Sequence, residues 1–444
     1  MTRQRAILDF LDEMSSVNLH GFLISLEGQT LAEGYWAPFH AEEAHRLYSV
    51  SKSVVSLAVG ILAGESKLNL EDHVVDYFPE WVDNSTHPML GEVSIRNMLM
   101  MSTCYDRAMY SPLGDEDWTR PFFYGQPTHP AGTLFFYDTS ASQVLCALVE
   151  KLTGQEILSF MEERLFRPLG MNGPKKWLKD RAGTSQGGTG LMMTLQDFSR
   201  LADFCMGDGQ GLVPEEYLRA ATACQITTRE RANPEERHGY GYQFWRMRKG
   251  FSMYGLGGQM GICLPEQQLS LCTTGNTMLD GAGVQPIYDA FFRHLDGIGS
   301  LPSSEADQRE LELRLQQLTL SPVKAEAKSV TVQINLQPSA LPFTVLTIAP
   351  EHLIFQLKDG SAVLPYGIGS WADGVFPTTT ERCITSGGWE GEGRFRVICE
   401  VKDDFICNME LIVSLRDDRA ALCLNGRLWE LTPGWNGLAW GTCR

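Results

Sequence analysis

Two kinds of hydrophobic pattern divide the chain. Up to about residue 300, apolar runs at helical spacing are interspersed with shorter alternating stretches. Beyond residue 321, short β-type runs follow one another at turn-separated intervals. The most apolar run lies over 46–62, where Val54, Val55, Leu57, Ala58, Val59, Ile61 and Leu62 leave no polar face. That predicts a helix enclosed on all sides, ending near Gly64. Further helices are predicted over 1–13, 93–101, 139–152 with Gly154 as its stop, 155–165, 194–206, 284–295 and 305–318. Strands are predicted over 20–25 and 30–36, joined by a hairpin at Glu27-Gly28-Gln29, and over 240–245 and 269–274. From residue 102 to His129 the chain is rich in Tyr, Trp, Pro and Asp with little periodicity, which marks a candidate pocket wall. The glycine-rich run over 183–190 lacks a Gly-Lys-Ser/Thr ending and a preceding strand. It reads as a tight turn, not a phosphate loop.

The second pattern places strands over 330–336, 343–348, 352–357, 394–400, 405–415 and 420–424, with turns such as Asp359-Gly360 and Asn425-Gly426. An all-β sandwich or barrel follows. The expected organisation is an α+β domain over 1–300, a linker and helix over 301–320, and an all-β accessory domain over 321–444. No internal repeat or low-complexity run interrupts it.

Composition narrows the partners. The chain has 444 residues and a net charge of −17, from 37 basic and 54 acidic side chains, which argues against a nucleic-acid or anionic membrane partner. Acids among the apolar residues of 1–13 argue against a signal peptide, and no stretch approaches the roughly 20 apolar residues of a membrane span. The eleven cysteines are scattered without a Cys-x-x-Cys pair. Together these predict reduced thiols in a cytoplasmic protein.

The chemistry starts at Ser49-x-x-Lys52, at the mouth of the apolar run. One helical turn would set the Lys52 amine beside the Ser49 hydroxyl. Desolvation lowers a lysine's pKa, so that its neutral amine can take a serine proton. Tyr137 closes an apolar run just before a helix, where a nearby ammonium would lower its pKa and let it share that proton. The glycines of Gly255-Leu256-Gly257-Gly258-Gln259 allow another backbone or a substrate to come close, and a strand edge there would supply an oxyanion N–H. Tyr105, Tyr110, Trp118, Phe122, Phe123, Tyr124, Tyr240 and Trp245 either line an acyl pocket or pack the core. His20, His40, His129 and His238 lack metal-ligand spacing, and neither a metal site nor a nucleotide loop is visible.

Over roughly residues 15–295 the chain resembles the serine β-lactamase/penicillin-binding-protein superfamily, in its class C β-lactamase-like esterase and amidase branch. The resemblance rests on the stretches at 33–36, 47–53, 95–102, 130–133, Tyr137, 168–171 and 257–259, in that order. It implies a β-lactamase/transpeptidase-like fold, an antiparallel sheet flanked by helices with a helical subdomain. It implies Ser49 as the acylated nucleophile, Lys52 and Tyr137 as its general bases, and the backbone N–H groups of Ser49 and Gln259 as the oxyanion hole. Thr139, Leu256, Gly257 and Gly258 would contact substrate. Which of Lys52 and Tyr137 takes the proton stays open.

Two positions depart from the pattern. Thr139 replaces the usual Asn or Ser, and Leu256 stands where the superfamily often carries Lys or His. A leucine cannot hold a substrate carboxylate or donate a proton. The expected function is a serine hydrolase acting on a small-molecule ester, amide or short peptide without a cofactor, with a homo-oligomer allowed for. The alternative is a non-catalytic sensor or scaffold that binds an acyl ligand without turnover. The β domain would shape specificity or form a dimer contact.

Overall fold

The computed structural model describes residues 1–279, 283–405, 407–427 and 434–444. The chain forms two units: among the described residues the first holds 1–277 and 283–318, and the second holds 319–444 together with Met278 and Leu279. In the first, a six-stranded antiparallel sheet takes the order Gln29–Tyr35, Leu19–Leu26, Leu269–Gly275, Gln259–Leu264, Phe251–Gly255, Trp245–Arg246. Every residue of Leu19–Leu26 is buried, which requires cover on both faces. Alternation supplies it: Phe22 meets Phe10 of the helix Arg3–Glu13, while Leu23 joins the core around the helix Val50–Gly64. The helix Glu305–Gln316 also lies against Arg3–Glu13, through bonds such as Thr2 Oγ1 to Asp307 Oδ2 at 2.7 Å. This is the β-lactamase/transpeptidase-like α+β arrangement.

The enclosed helix runs Val50–Gly64, starting later than the apolar pattern predicts. Upstream, His45–Arg46 pairs with Leu191–Met193 as a strand, and Tyr48 turns left-handed at φ 45° before the helix begins. Its small polar residues are all satisfied internally. Ser51 Oγ donates to Tyr48 O at 2.6 Å, Ser53 Oγ to Gln243 O at 2.7 Å, and Ser56 Oγ lies 3.0 Å from Tyr217 Oη. Gly60 makes room for the Tyr217 ring: a Cβ there would stand 2.5 Å from it.

Other elements depart from the pattern for local reasons. Thr139–Thr153 is a helix with Asp138 as N-cap and Gly154 left-handed after it, as the stop residue predicts. Residues 155–165 and 284–295 each resolve into a short α-helix, Ile157–Met161 or Gln285–Ala290, followed by a π-turn. The strand expected over 240–245 shrinks to Trp245–Arg246, because Gln243 adopts φ 65° and bends the chain.

The second unit is a ten-stranded antiparallel sheet, with Gly360–Pro365 and Ala372–Val375 as its outermost strands. These two approach each other, a Cβ on Gly374 standing 3.2 Å from Pro365 Cδ, so the sheet curls into a near-barrel. The interior is packed, with Phe343, Phe355, Phe376 and Trp435 in mutual ring contact. Four strands escape the hydrophobic pattern: Gly360–Pro365, Ala372–Val375, Arg382–Trp389 and Gly437–Cys443. Glycines interrupt the alternation in several of them, as at Gly387-Gly388. Ile406, within the strand predicted over 405–415, lies outside the described residues.

Gly60→Val should lower unfolding stability by about 1–3 kcal/mol, because the added methyls have nowhere to go but into Tyr217. Chemical denaturation followed by tryptophan fluorescence measures it.

Candidate active site

Ser49 sits at the N-cap of the enclosed helix but does not cap it with its side chain. Its hydroxyl therefore stays available, and the residue remains partly exposed. Lys52, one turn on, is buried to 1% exposure. Its Nζ lies 3.0 Å from Ser49 Oγ and 2.7 Å from the carbonyl oxygen of Gly188. Burial lowers the Lys52 pKa to about 7, against the opposing pull of the Asp138 carboxylate. An amine that titrates near neutrality can hold or release a proton at little cost.

Gly188 belongs to the glycine run read as a tight turn. It is a turn, and it also walls the site. A side chain at 188 would come within 2.4 Å of Thr139 Cγ2 and 3.1 Å of Lys52 Nζ. Thr139 thus stands beside the lysine, as the first residue of its helix. Asp138, which precedes it, is fully buried, and burial raises its carboxyl pKa to about 6. It caps its helix by accepting from Ser140 N at 2.8 Å.

The Lys52 ammonium position is 5.1 Å from the Tyr137 ring centre, and the Ser49 hydroxyl acts on the Tyr137 phenol. Its ring stacks on Trp245 at 5.5 Å and meets Tyr240 edge-on. The lowered tyrosine pKa expected from sequence is not found. Burial drives the Tyr137 hydroxyl up, outweighing the Ser49 bond that favours its ionised form. A phenol so placed stays protonated at neutral pH.

The glycine-rich stretch forms the turn between Phe251–Gly255 and Gln259–Leu264, with Gly257 and Gly258 both left-handed at φ 84° and 95°. The Gln259 side chain braces that turn, Nε2 donating to Leu256 O at 2.9 Å and to Gly275 O at 2.7 Å. Gly255 backs directly on the serine segment, where a Cβ would stand 2.1 Å from Leu47 O. Leu256 is 37% exposed, an apolar side chain held out at the rim.

The aromatic residues split. Tyr240 and Trp245 surround Tyr137 together with Phe135, Tyr254 and Met101. Tyr105, Phe122 and Phe123 belong to the main core, Tyr110 stacks on Trp118, and Tyr124 is exposed. Gln243 went unnoticed in the sequence, yet its amide ties the site's parts together. Nε2 donates to Met98 O and Leu99 O, and Oε1 accepts from Ser142 Oγ at 2.6 Å. Its only sequence signal is a polar residue within the aromatic run over 240–245. Among the described residues no group of three or more metal-ligating side chains is assembled, and no helix is long and apolar enough to cross a membrane. None of the eleven cysteines is joined in a disulfide.

The chain belongs to the Beta-lactamase family, whose model matches residues 20–285. A curated relative, the 6-aminohexanoate-dimer hydrolase of Paenarthrobacter ureafaciens, is 24% identical over 205 residues, which is 42% of this chain. The match spans 52% of that enzyme, so the chain covers about half the length of the relative it matches. Among solved structures, the octameric penicillin-binding protein homologue from Pyrococcus abyssi aligns at TM-score 0.54 and 16% identity, over 95% of this chain and 98% of that one. The D-amino acid amidase from Ochrobactrum anthropi SV3 aligns at TM-score 0.52 and 15% identity, over 67% and 99% respectively. These structural likenesses show the shared fold.

Gly255→Ala should lower unfolding stability by about 1–3 kcal/mol, because the new methyl pushes the strand off Leu47, and chemical denaturation measures it. Lys52→Met should raise thermal stability by about 1–2 kcal/mol, a few degrees in Tm. Burying the charged lysine costs most below pH 7, and the cost fades as pH rises toward 10.5. The variant's advantage should therefore shrink across that window in melts recorded against pH.

Proposed function

We propose that this chain is a serine hydrolase that cleaves a small-molecule ester or amide through an acyl-enzyme on Ser49. The observation that carries the reading is the buried Lys52 amine 3.0 Å from Ser49 Oγ, with a pKa of about 7. In its neutral form the amine takes the serine proton as Oγ attacks the acyl carbon. The Gly188 carbonyl bond orients the amine for that transfer. The backbone N–H groups of Ser49 and Gln259 stabilise the oxyanion, the first aided by its place at a helix N-terminus.

Tyr137 acts in this scheme as a protonated partner, not a second base. Its raised pKa suits a phenol that hydrogen-bonds Ser49 and hands a proton to the departing group. The Lys52 ammonium then returns a proton to the phenolate, which restores both groups. Water attacks the acyl carbon of the Ser49 ester, neutral Lys52 takes the water's proton, and that proton passes to Ser49 Oγ as the acid departs. Thr139, Leu256, Gly257 and Gly258 line the approach to the acyl group. The hydrolase and amidase names of the two similar proteins support hydrolysis, with an amide among the candidate substrates, and the octameric homologue makes a homo-oligomer part of the reading.

Mass spectrometry after a fluorophosphonate should find one adduct on Ser49, absent in Ser49→Ala. Lys52→Ala should lower ester turnover by about 10²–10⁴. Because the working form of Lys52 is the neutral one, kcat/KM should rise with pH through about 7. Tight ligand binding without any acylation would instead mark a non-catalytic sensor.

A further inference from the structure

Beside the Ser49 site stands a charged pair that the scheme above does not use. Arg231 is 41% exposed along its side chain, and its partner Glu236 only 7%. Arg231 Nε and Nη2 both bond one oxygen, Oε2 of Glu236, at 2.8 Å. Among the described residues the third guanidinium nitrogen, Nη1, has no protein partner. The guanidinium carbon lies 5.6 Å from the centre of the Trp245 ring, and that ring stacks on Tyr137. Arg231 and Glu236 also bear on the ionisation of both Tyr137 and Tyr254. Tyr254 lies on the strand that leads into the Leu256 turn, two positions before Leu256.

Charge sharpens the point. A protein with net charge −17 repels anions at long range, so an anionic substrate needs a local cation. At the turn itself Leu256 provides none. A half-exposed guanidinium with an unused N–H and a buried carboxylate fixing its orientation is suited to a second carboxylate.

We propose that Arg231 recognises a carboxylate carried by the substrate several bonds from the scissile carbonyl. The inference rests on the Ser49 acyl-enzyme reading and narrows its substrate class to carboxylate-bearing esters or amides. Glu236 holds the guanidinium in place and competes for it, which keeps the grip moderate and reversible.

Two matched ester pairs test this with the full chain. In one, p-nitrophenyl hexanoate is set against the mono-p-nitrophenyl ester of adipic acid, with the carboxylate on the acyl side. In the other, phenyl hexanoate is set against 4-carboxyphenyl hexanoate, with the carboxylate on the leaving side. In at least one pair, Arg231→Gln should lower kcat/KM for the carboxylate ester about tenfold or more, chiefly through KM. The neutral partner should change less than about threefold, which also shows that the variant folds. Arg231→Lys should fall between, and Glu236→Gln should raise the preference for the carboxylate ester. Ser49-dependent turnover with unchanged ratios in both pairs overturns the role of Arg231 and leaves the acyl-enzyme reading standing. No Ser49-dependent turnover of any of the four esters overturns both.

Discussion

Burial of the Lys52 amine is the constraint around which the first unit is built. An ammonium in that position would have to shed its water, and two acceptors, Ser49 Oγ and Gly188 O, replace only part of it. The amine responds by losing its proton readily, which is the property a base needs. Everything nearby serves that placement. The helix bearing Lys52 is walled on all sides, so water cannot reach it from behind. Gly188 has no side chain, so its carbonyl can come close enough to bond the amine.

The same enclosure forces the fold to satisfy every other polar group on that helix from within. Ser51, Ser53 and Ser56 each bond a different element, respectively the Tyr48 turn, the Gln243 bend and Tyr217. Leu191 N donates to Ser51 Oγ at 2.9 Å as well, tying the strand after Gly188 to the helix start. These bonds act as a register. A slip of the helix would leave several buried donors and acceptors unpaired, each costing about 1–3 kcal/mol. The helix is therefore fixed along its axis, and with it the separation of Ser49 from the elements that carry Tyr137 and Gly255.

How much of this was legible in the sequence depends on how local each feature is. The apolar run over 46–62 and the Ser49-x-x-Lys52 spacing are local, and they identify the helix and the hydroxyl–amine pair at its start. Asp138 and Gly154 at either end of Thr139–Thr153 are local too, and the helix boundaries follow. Gly188 and Gly255 are not. Each is one glycine among many, and its role appears only when the chain brings Lys52 or Leu47 against it. In the second unit, alternation finds strands whose inward residues are large. It misses Arg382–Trp389, where Ser386, Gly387 and Gly388 are buried without being hydrophobic. The ionisation of Tyr137 is not legible in the sequence, which shows the neighbouring lysine but not the burial of both groups.

Burial decides how the site divides its charges. A tyrosine is ionised by a cation beside it, but the burial that makes Lys52 a base also tends to strip its charge. The two effects exclude each other: the better the lysine serves as a base, the less it can ionise the phenol. In the scheme we propose, the site therefore carries one base and one acid, not two bases. A permanent cation near the chemistry must be one that burial does not neutralise, and it must sit where water still reaches it. Arg231 meets both conditions, half-exposed and steadied by Glu236 at the rim. The titrating amine belongs inside and the fixed charge outside, because desolvation would tune the first and only penalise the second.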